Sequence, residues 1–525
     1  MTGDELLNAM EHIDAELIEA ADGPVKKRHS LGSLVAALAA MLALAFLLGI
    51  ALGDRHSDPL LDHSDPTNST CSCRPTPTWA PLRPTAPPQP PTTPPTAPKP
   101  SGILPPDTLL FANLAAAPVY PQMVRCPQIT DFANSKDYQA AMDAYKAAQK
   151  AQYNQPDGYA DSLKNFFSSS IAQFLQGEGN TAYSPLNVYM AMAMLAETTG
   201  GNSRQQILDL FGVNSIEELR TQAGHVWNAH YCDDGRSTIL MANSLWLDHE
   251  FPYHQETADR LAQYYYASTF HGDLGTEAVD LQLREWLNAN TGGLLKEQAN
   301  NVKLDPNTVF ALASTIYFTA GWVDEFYEEN TYDKTFHAPT GDIQTPFMHQ
   351  TRRDTYYRGT NFGAIYLNLD GNNRMWLILP DEGFTTEDIL KSDEYLQLTL
   401  DPASWPNQKK YEIHLSLPKF DVVQQQNLIS GMRALGVTDI FSPETSDFSP
   451  LTDRTDILVS QINHAVRVTI DEEGCTAAAF TVIVAPGAGM PEKSEELYFT
   501  LDRPFLFLVT SRDHLPLFAG VVKQP

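Results

Sequence analysis

Between Asp54 and Pro106 the chain runs through Pro-Thr-rich stretches such as PTAPPQPPTTPPTAPKP. Proline fixes its own φ and carries no amide hydrogen, so such a run joins neither a helix interior nor a central strand. It buries too little apolar surface to pack, and it reads as an extended, partly polyproline stalk. At about 3.1 Å per residue its upper reach is on the order of 160 Å. The chain has 525 residues and 37 prolines, and from Tyr159 onward prolines become sparse. A packed core has to be built from residues beyond the stalk.

Ahead of the stalk, Leu31 to Leu52 is apolar and uncharged, and Lys26-Lys27-Arg28 precede it. About 22 residues make a helix of about 33 Å, the thickness of a bilayer core. The basic flank predicts a cytoplasmic N-terminus, with everything later outside the cell. Small residues at Ala51-Leu52-Gly53 leave signal cleavage as the alternative, but the stretch and its leader are long for a signal peptide. The sequence therefore divides into a cytoplasmic tail (1–28), a transmembrane helix (29–53), the stalk (54–107), a transitional segment (108–158) and a large domain (159–525). An anchor with a wall-spanning type of stalk suggests a bacterial surface protein.

A net charge of −29 argues against nucleic acid as a partner. The cysteines are Cys71, Cys73, Cys126, Cys232 and Cys475, and an odd count with so short a first spacing is no disulfide scaffold. No CxxC pair, HExxH, GxSxG, GxxxxGK[ST] or EF-hand pattern occurs, so neither a metal, a cofactor nor an enzyme is expected. His249 to His254 has the wrong spacing and an internal proline for a metal pair. Helical patterns come early: Tyr138–Tyr153, Asp161–Gln176, Pro185–Glu197 and Gln205–Phe211. Strand-like runs come later: Trp376–Leu379, Ile413–Leu417, Ile457–Ile462, Val466–Ile470 and Phe505–Val509. Without regular alternation the class is α+β.

Near the end, the β-prone run Ala479 to Ala485 dissolves into Pro486-Gly487-Ala488-Gly489 before a strand resumes at Leu497. A segment able to form an inner strand is placed in a loop. Around it the motifs AYSPLNVYMAMAMLAETTGGNSRQQI, STIYFTAGW, LILPDEG, LSLPKF, MRALGVTDIFSPETSDFSPL and FTLDRPFLFLVTSRDHLPLFAGVV come in order. In order, spacing and domain size, residues 159–525 resemble a serpin along their whole length. The resemblance implies about nine helices, three β-sheets and an exposed reactive-centre loop, in a monomer whose partner is an extracellular serine protease. The protease would cleave the loop, form a covalent acyl-enzyme and be trapped as the loop inserts into the central sheet. That strand addition releases stored strain.

The loop has the composition to insert. In a strand, Cys475, Ala477, Ala479, Thr481 and Ile483 share one face, and Thr476, Ala478, Phe480, Val482 and Val484 the other. The family pattern turns the first set inward, and small side chains there avoid the ~1–3 kcal/mol cost of overpacking. No charge or proline occurs between Gly474 and Ala485. The resemblance makes Glu472, Glu473, Gly474, Cys475, Thr476, Ala477, Ala478 and Ala479 the hinge. It makes Lys419 and Glu472 an ion pair closing the top of the sheet beside Trp322. It puts Ser184, Asn187, Ser314 and His464 at the shutter, where the sheet parts. The family usually has Thr at Cys475 and Glu at Thr476, and it has Ser at Asn187 and Asn at Ser314, an apparent exchange of polar partners. Counting about 17 residues from Glu472 puts the scissile bond at Ala488-Gly489, with Met490 as runner-up. Small residues before it suit an elastase-like or subtilisin-like enzyme, since no Arg or Lys lies between Arg467 and Lys493. The alternative is a serpin fold that binds without inhibiting.

Overall fold

The computed structural model describes residues 114–120, 125–127, 129–132, 134–475 and 495–525. The predicted tail, membrane helix and stalk lie outside them, as does the loop from Thr476 to Ser494. Among the described residues no helix is long and apolar enough to cross a membrane.

Eleven α-helices and two large sheets form the described part, an α+β arrangement. The first five helices are α1 (Ser135–Tyr153), α2 (Lys164–Phe174), α3 (Pro185–Thr198), α4 (Gly201–Phe211) and α5 (Ile216–His230). In α3 the sequence PLNVYMAMAMLAET is apolar nearly all round, and every residue but Ala191 is buried. A helix of that composition belongs in the middle of a protein. Its start is set by Ser184, whose hydroxyl accepts from the Asn187 amide, and by Pro185 in the first turn.

The central sheet contains β1 (Leu114–Ala116), β2 (Ser237–Asp248), β3 (Ala267–Gly272), β4 (Phe310–Gly321), β5 (Phe420–Asn427), β6 (Asn463–Ile470) and β7 (Gly474–Cys475). Their spatial order is β1-β3-β2-β4-β7-β6-β5, with Cys232–Asp233 pairing beside β2 as an eighth strand. β2 and β4 pair from Ser237↔Ala320 to Leu247↔Phe310, and β5 and β6 from Phe420↔Ile470 to Asn427↔Asn463. Between these two halves lies only β7, two residues long, at Gly474↔Gly321, Cys475↔Ala320 and Ile470↔Cys475. Along the rest of their length β4 and β6 have no strand between them among the described residues.

Three expectations are corrected. Three sheets become two, because the second sheet is a continuous nine-stranded surface. Its 18-residue strand Gly341–Arg358 pairs with Gln408–Pro418 from Phe347 to Tyr357 and then meets Phe362–Leu369 at Tyr357 and Arg358. One long strand thus fuses two ladders that shorter strands would leave separate. The run Ile457–Ile462 is not a strand. Its backbone bonds go to a helical turn and a helix start instead: the Val459 amide to Ile440 O at 2.8 Å, and Ile462 O from the Leu428 amide at 2.9 Å. The helix count also exceeds nine, partly because α1 stands ahead of the family-like domain and several helices are only five to seven residues long.

That leading segment is held closely. β1 pairs with β3 through a bulge. Tyr120 stacks among Trp227, Tyr231 and Tyr266. From α1, capped by Asn134, the Tyr145 hydroxyl donates to Asp234 at 2.9 Å and the Gln152 amide to Tyr231 O at 2.6 Å. The Arg512 guanidinium covers the Tyr153 ring at 3.3 Å.

Candidate functional site

The site begins where β6 turns into β7. The carboxylate of Asp471 accepts from the amides of Glu473 at 3.0 Å and Gly474 at 3.2 Å, closing a tight reversal. Gly474 is required there: a Cβ would lie 2.4 Å from Ala320 O. Cys475, 2 % exposed, is the last residue described before the loop and is wedged between β4 and β6.

Glu472 projects from the reversal onto the second sheet. Its carboxylate accepts from Lys419 Nζ at 2.6 Å and from Thr331 Oγ1 at 2.8 Å. Burial alone would raise its pKa, but the bonds from Lys419 and Thr331 and the backbone amide of Glu472 itself outweigh burial and hold it below the usual range. Trp322 covers the pair from the end of β4. Its indole donates to Asp471 O at 2.8 Å and its amide to Glu473 O at 3.0 Å, and it is 3 % exposed. The Phe326 amide adds a bond to Glu472 O at 3.1 Å. The end of β4, the reversal and the second sheet are thus stitched together through one carboxylate and one indole.

Halfway down the sheet sits a second polar cluster. The Ser184 amide donates to His464 Nε2 at 3.1 Å, and the Ser184 hydroxyl to Leu517 O at 2.7 Å. The Asn187 side-chain amide donates to Ser314 Oγ at 2.9 Å. Asn187 on α3 and Ser314 on β4 therefore meet as the exchanged polar pair. Because His464 Nε2 accepts a backbone proton, the ring is neutral with its other nitrogen protonated. Burial pushes its pKa down from 6.5 to about 4.

This sets a pH dependence with a definite sign. Between about pH 6.5 and 4 the unfolded chain takes up a proton that the folded imidazole refuses. Stability from this residue is complete above about pH 6.5 and falls toward pH 4, by on the order of 3 kcal/mol in all. A His464→Gln variant is expected to lose that slope, read as urea midpoints at pH 7 and at pH 4.5. Equal slopes in parent and variant would remove His464 from this role.

From Cys475 past the second cluster runs a cavity of about 220 Å³, lined among others by Asn187, Ser314, Ile316, His464, Val466 and Cys475. On β4, Leu312, Ser314 and Ile316 are only half-buried, although their neighbours on β2 are largely buried. They face the gap between β4 and β6. Among the described residues the arrangement offers no nucleophilic hydroxyl bonded to a base; it offers a slot with apolar and polar walls, closed at the top by an ion pair and a tryptophan.

The sequence model of the serpin family, described as serine protease inhibitor, matches residues 162–525. The chain belongs to the serpin family. Mouse neuroserpin is 28 % identical over 389 residues, covering 70 % of this chain and 92 % of that protein. Human leukocyte elastase inhibitor is 30 % identical over 343 residues, 63 % of this chain and 89 % of that protein. Among solved structures, the thermophilic serpin tengpin in its native state superposes with a TM-score of 0.63 at 24 % identity, over 71 % of this chain and 95 % of that one. That likeness is one of fold. β1 and α1 precede the matched residues of this serpin.

Of the sequence-predicted site residues, Lys419, Glu472 and Trp322 come together at the top, and Ser184, Asn187, Ser314 and His464 halfway down. Glu473, Gly474 and Cys475 form the reversal and the short strand. Thr476, Ala477, Ala478, Ala479, Ala488, Gly489 and Met490 lie outside the described residues. Sequence reasoning missed Thr331, the second partner of Glu472, and Asp471, the acceptor that shapes the turn. An Asp two and three residues ahead of a Glu-Gly pair is a recognisable turn former; nothing local marks Thr331.

Proposed function

We propose that this serpin is a suicide-substrate inhibitor of extracellular serine proteases with small-residue specificity, elastase-like or subtilisin-like. The observation that carries the reading is the slot: β4 and β6 stand apart along their length, and the chain enters the gap at Gly474-Cys475. Extending that register six residues past Cys475 sets Thr481 opposite Ser314 on one side and His464 on the other. Ala477 and Ala479 then fall beside the inward residues Phe318, Val468, Ile316 and Val466. Small residues meet the crowded upper part and a hydroxyl meets the polar cluster.

In this mechanism the protease serine attacks the Ala488 carbonyl, the Ala488-Gly489 amide breaks and the Gly489 amine leaves. The acyl ester to Ala488 stays on the protease while the freed loop zips into the slot and carries the enzyme away from the geometry needed for hydrolysis. The chain acts as bait and not as catalyst. The run Val484 to Ala488, small and uncharged, supports a target with a shallow primary pocket. The name of the relative leukocyte elastase inhibitor points the same way. The apolar stretch Leu31–Leu52 and the proline-rich stalk support display at a cell surface, with the inhibitor domain outside. The anchor and the wall-spanning type of stalk together support a bacterial source, although mouse neuroserpin and human leukocyte elastase inhibitor come from mammals.

The test is incubation of the full-length protein with neutrophil elastase or subtilisin. A covalent complex surviving boiling in detergent is expected, together with a released C-terminal peptide that begins at Gly489 by mass spectrometry, or at Pro491 if Met490 is the bait. Cleaved chain with full protease activity left would reduce the protein to a binding module.

A further inference from the structure

The slot between β4 and β6 has two faces. The one turned toward α3 carries the polar cluster; the other lies under the helix Glu277–Asn290 and the segment that follows it. Leu283 and Trp286 of that helix cluster with Leu287, Val302 and Leu304 on Ala311 and Ala313, so the odd-numbered residues of β4 look toward this cover. Gly292 presses on the Tyr317 ring: a Cβ there would lie 2.7 Å from it. From the far side of the slot, Arg467 of β6 donates to Leu294 O at 3.4 Å, and Asp421 holds its guanidinium by bonds of 2.8 and 2.6 Å. The cover therefore spans the gap. Beneath it the cavity is lined by Leu287, Leu295, Ala299 and Val302 of the cover and by Thr315 and Ala465 of the two strands. Leu287, Leu295 and Val302 are only half-buried, with apolar surface turned to the open space.

We propose that this pocket is the seat for the ring of Phe480 when the cut loop inserts, and that the seated ring fixes the register of the inserted strand. The inference rests on the inhibitor reading and names the loop residue that anchors. Side-chain size supports it. The antiparallel register continued from Cys475 sets Ala478 between Tyr317 and Arg467, and Phe480 between Thr315 and Ala465. A small loop residue thus meets two large wall residues, and a large one meets two small ones. Phe480 is the one aromatic residue between Gly474 and Leu497, so the loop has a single ring to place. An apolar cavity of about 150 Å³ takes up benzene, and the space of about 220 Å³ here admits a phenyl group. A slip of one residue would turn the ring to the α3 face. A slip of two in one direction would drive it against Tyr317 and Arg467.

The test is calorimetry of the full-length parent, Phe480→Ala, Ala465→Phe and the double variant, each intact and nicked in the loop by elastase, with the nick located by mass spectrometry. The rise in melting temperature on nicking is expected to shrink by about 6–10 °C in Phe480→Ala, while the intact forms melt alike. Phe480→Leu is expected to recover about half of that loss or more. In Ala465→Phe the wall fills its own pocket, so the rise shrinks there too. Removing the loop ring as well is expected to restore about half of the rise or more, which a general loss of stability would not do. A rise in Phe480→Ala within about 2 °C of the parent's overturns the seat and leaves the inhibitor reading standing. A shrunken rise that the double variant fails to recover places the ring elsewhere and overturns this pocket. Should Ala465→Phe lower the melting temperature of the intact form, Leu295→Ala replaces it: full additivity with Phe480→Ala overturns the pocket, and a clear shortfall supports it. No rise even in the parent overturns both readings.

Discussion

Nicked between Ala488 and Gly489, the protein is expected to melt on the order of 20 °C above its intact form. The slot between β4 and β6 is bordered by two strands whose facing backbone edges, among the described residues, lack a sheet partner along most of their length. A ten-residue insert fills both ladders at once. At about 0.5–1.5 kcal/mol net per hydrogen bond, some 10–20 new bonds contribute on the order of 10 kcal/mol. Covering the apolar part of the cavity wall with Ala477, Ala479 and Ile483 adds more at about 25 cal/mol per Å². A domain of this size moves about 2 °C in melting temperature per kcal/mol. Scanning calorimetry of intact and nicked samples measures it directly. A nicked sample that melts with the intact one shows that the loop stays outside and that the native form stores nothing to release.

Replacing Glu472 with lysine is expected to open the sheet before any protease arrives. The carboxylate joins Lys419, Thr331 and the turn covered by Trp322. Removing one partner of a buried pair costs about 3–5 kcal/mol, and here a second ammonium replaces it beside the first. The Lys419 side chain is 35 % exposed, so solvent screens part of the effect and the lower end, about 3 kcal/mol, is expected. That is still over a hundredfold in the population whose slot gapes at the top. Such molecules accept their own loop uncut, or that of a neighbour, and native gels after mild warming should show a ladder of polymers alongside lost inhibition. Glu472→Lys that melts and runs like the parent removes this pair from any gating role.

Much of this geometry was legible because it is written in local chemistry. Ser184-Pro185 announces a helix start, and the apolar sequence after it announces a buried helix. The absence of charge between Gly474 and Ala485 announces a segment tolerated inside a sheet. The exchanged pair Asn187 and Ser314 could be read only through the family pattern, since 127 residues separate them. What stayed hidden depends on which strands find each other. Ile457–Ile462 is rich in β-branched residues, yet its backbone groups bond to a short helical turn and a helix start. The 18-residue strand from Gly341 contains Pro346 and many polar residues, so nothing local predicted that it would join two ladders into one sheet. Thr331 matters only because the fold carries it to Glu472.

The three residues Leu114–Ala116 have an effect larger than their length. Without them, β3 would be the outermost strand, and its row of amides and carbonyls would invite any passing chain to pair. A short bulged cover, laid down by the segment ahead of the serpin domain, blunts that border. The molecule thus shields one rim of the sheet while leaving, among the described residues, a vacancy in its middle, which the chain enters at the turn held by Glu472.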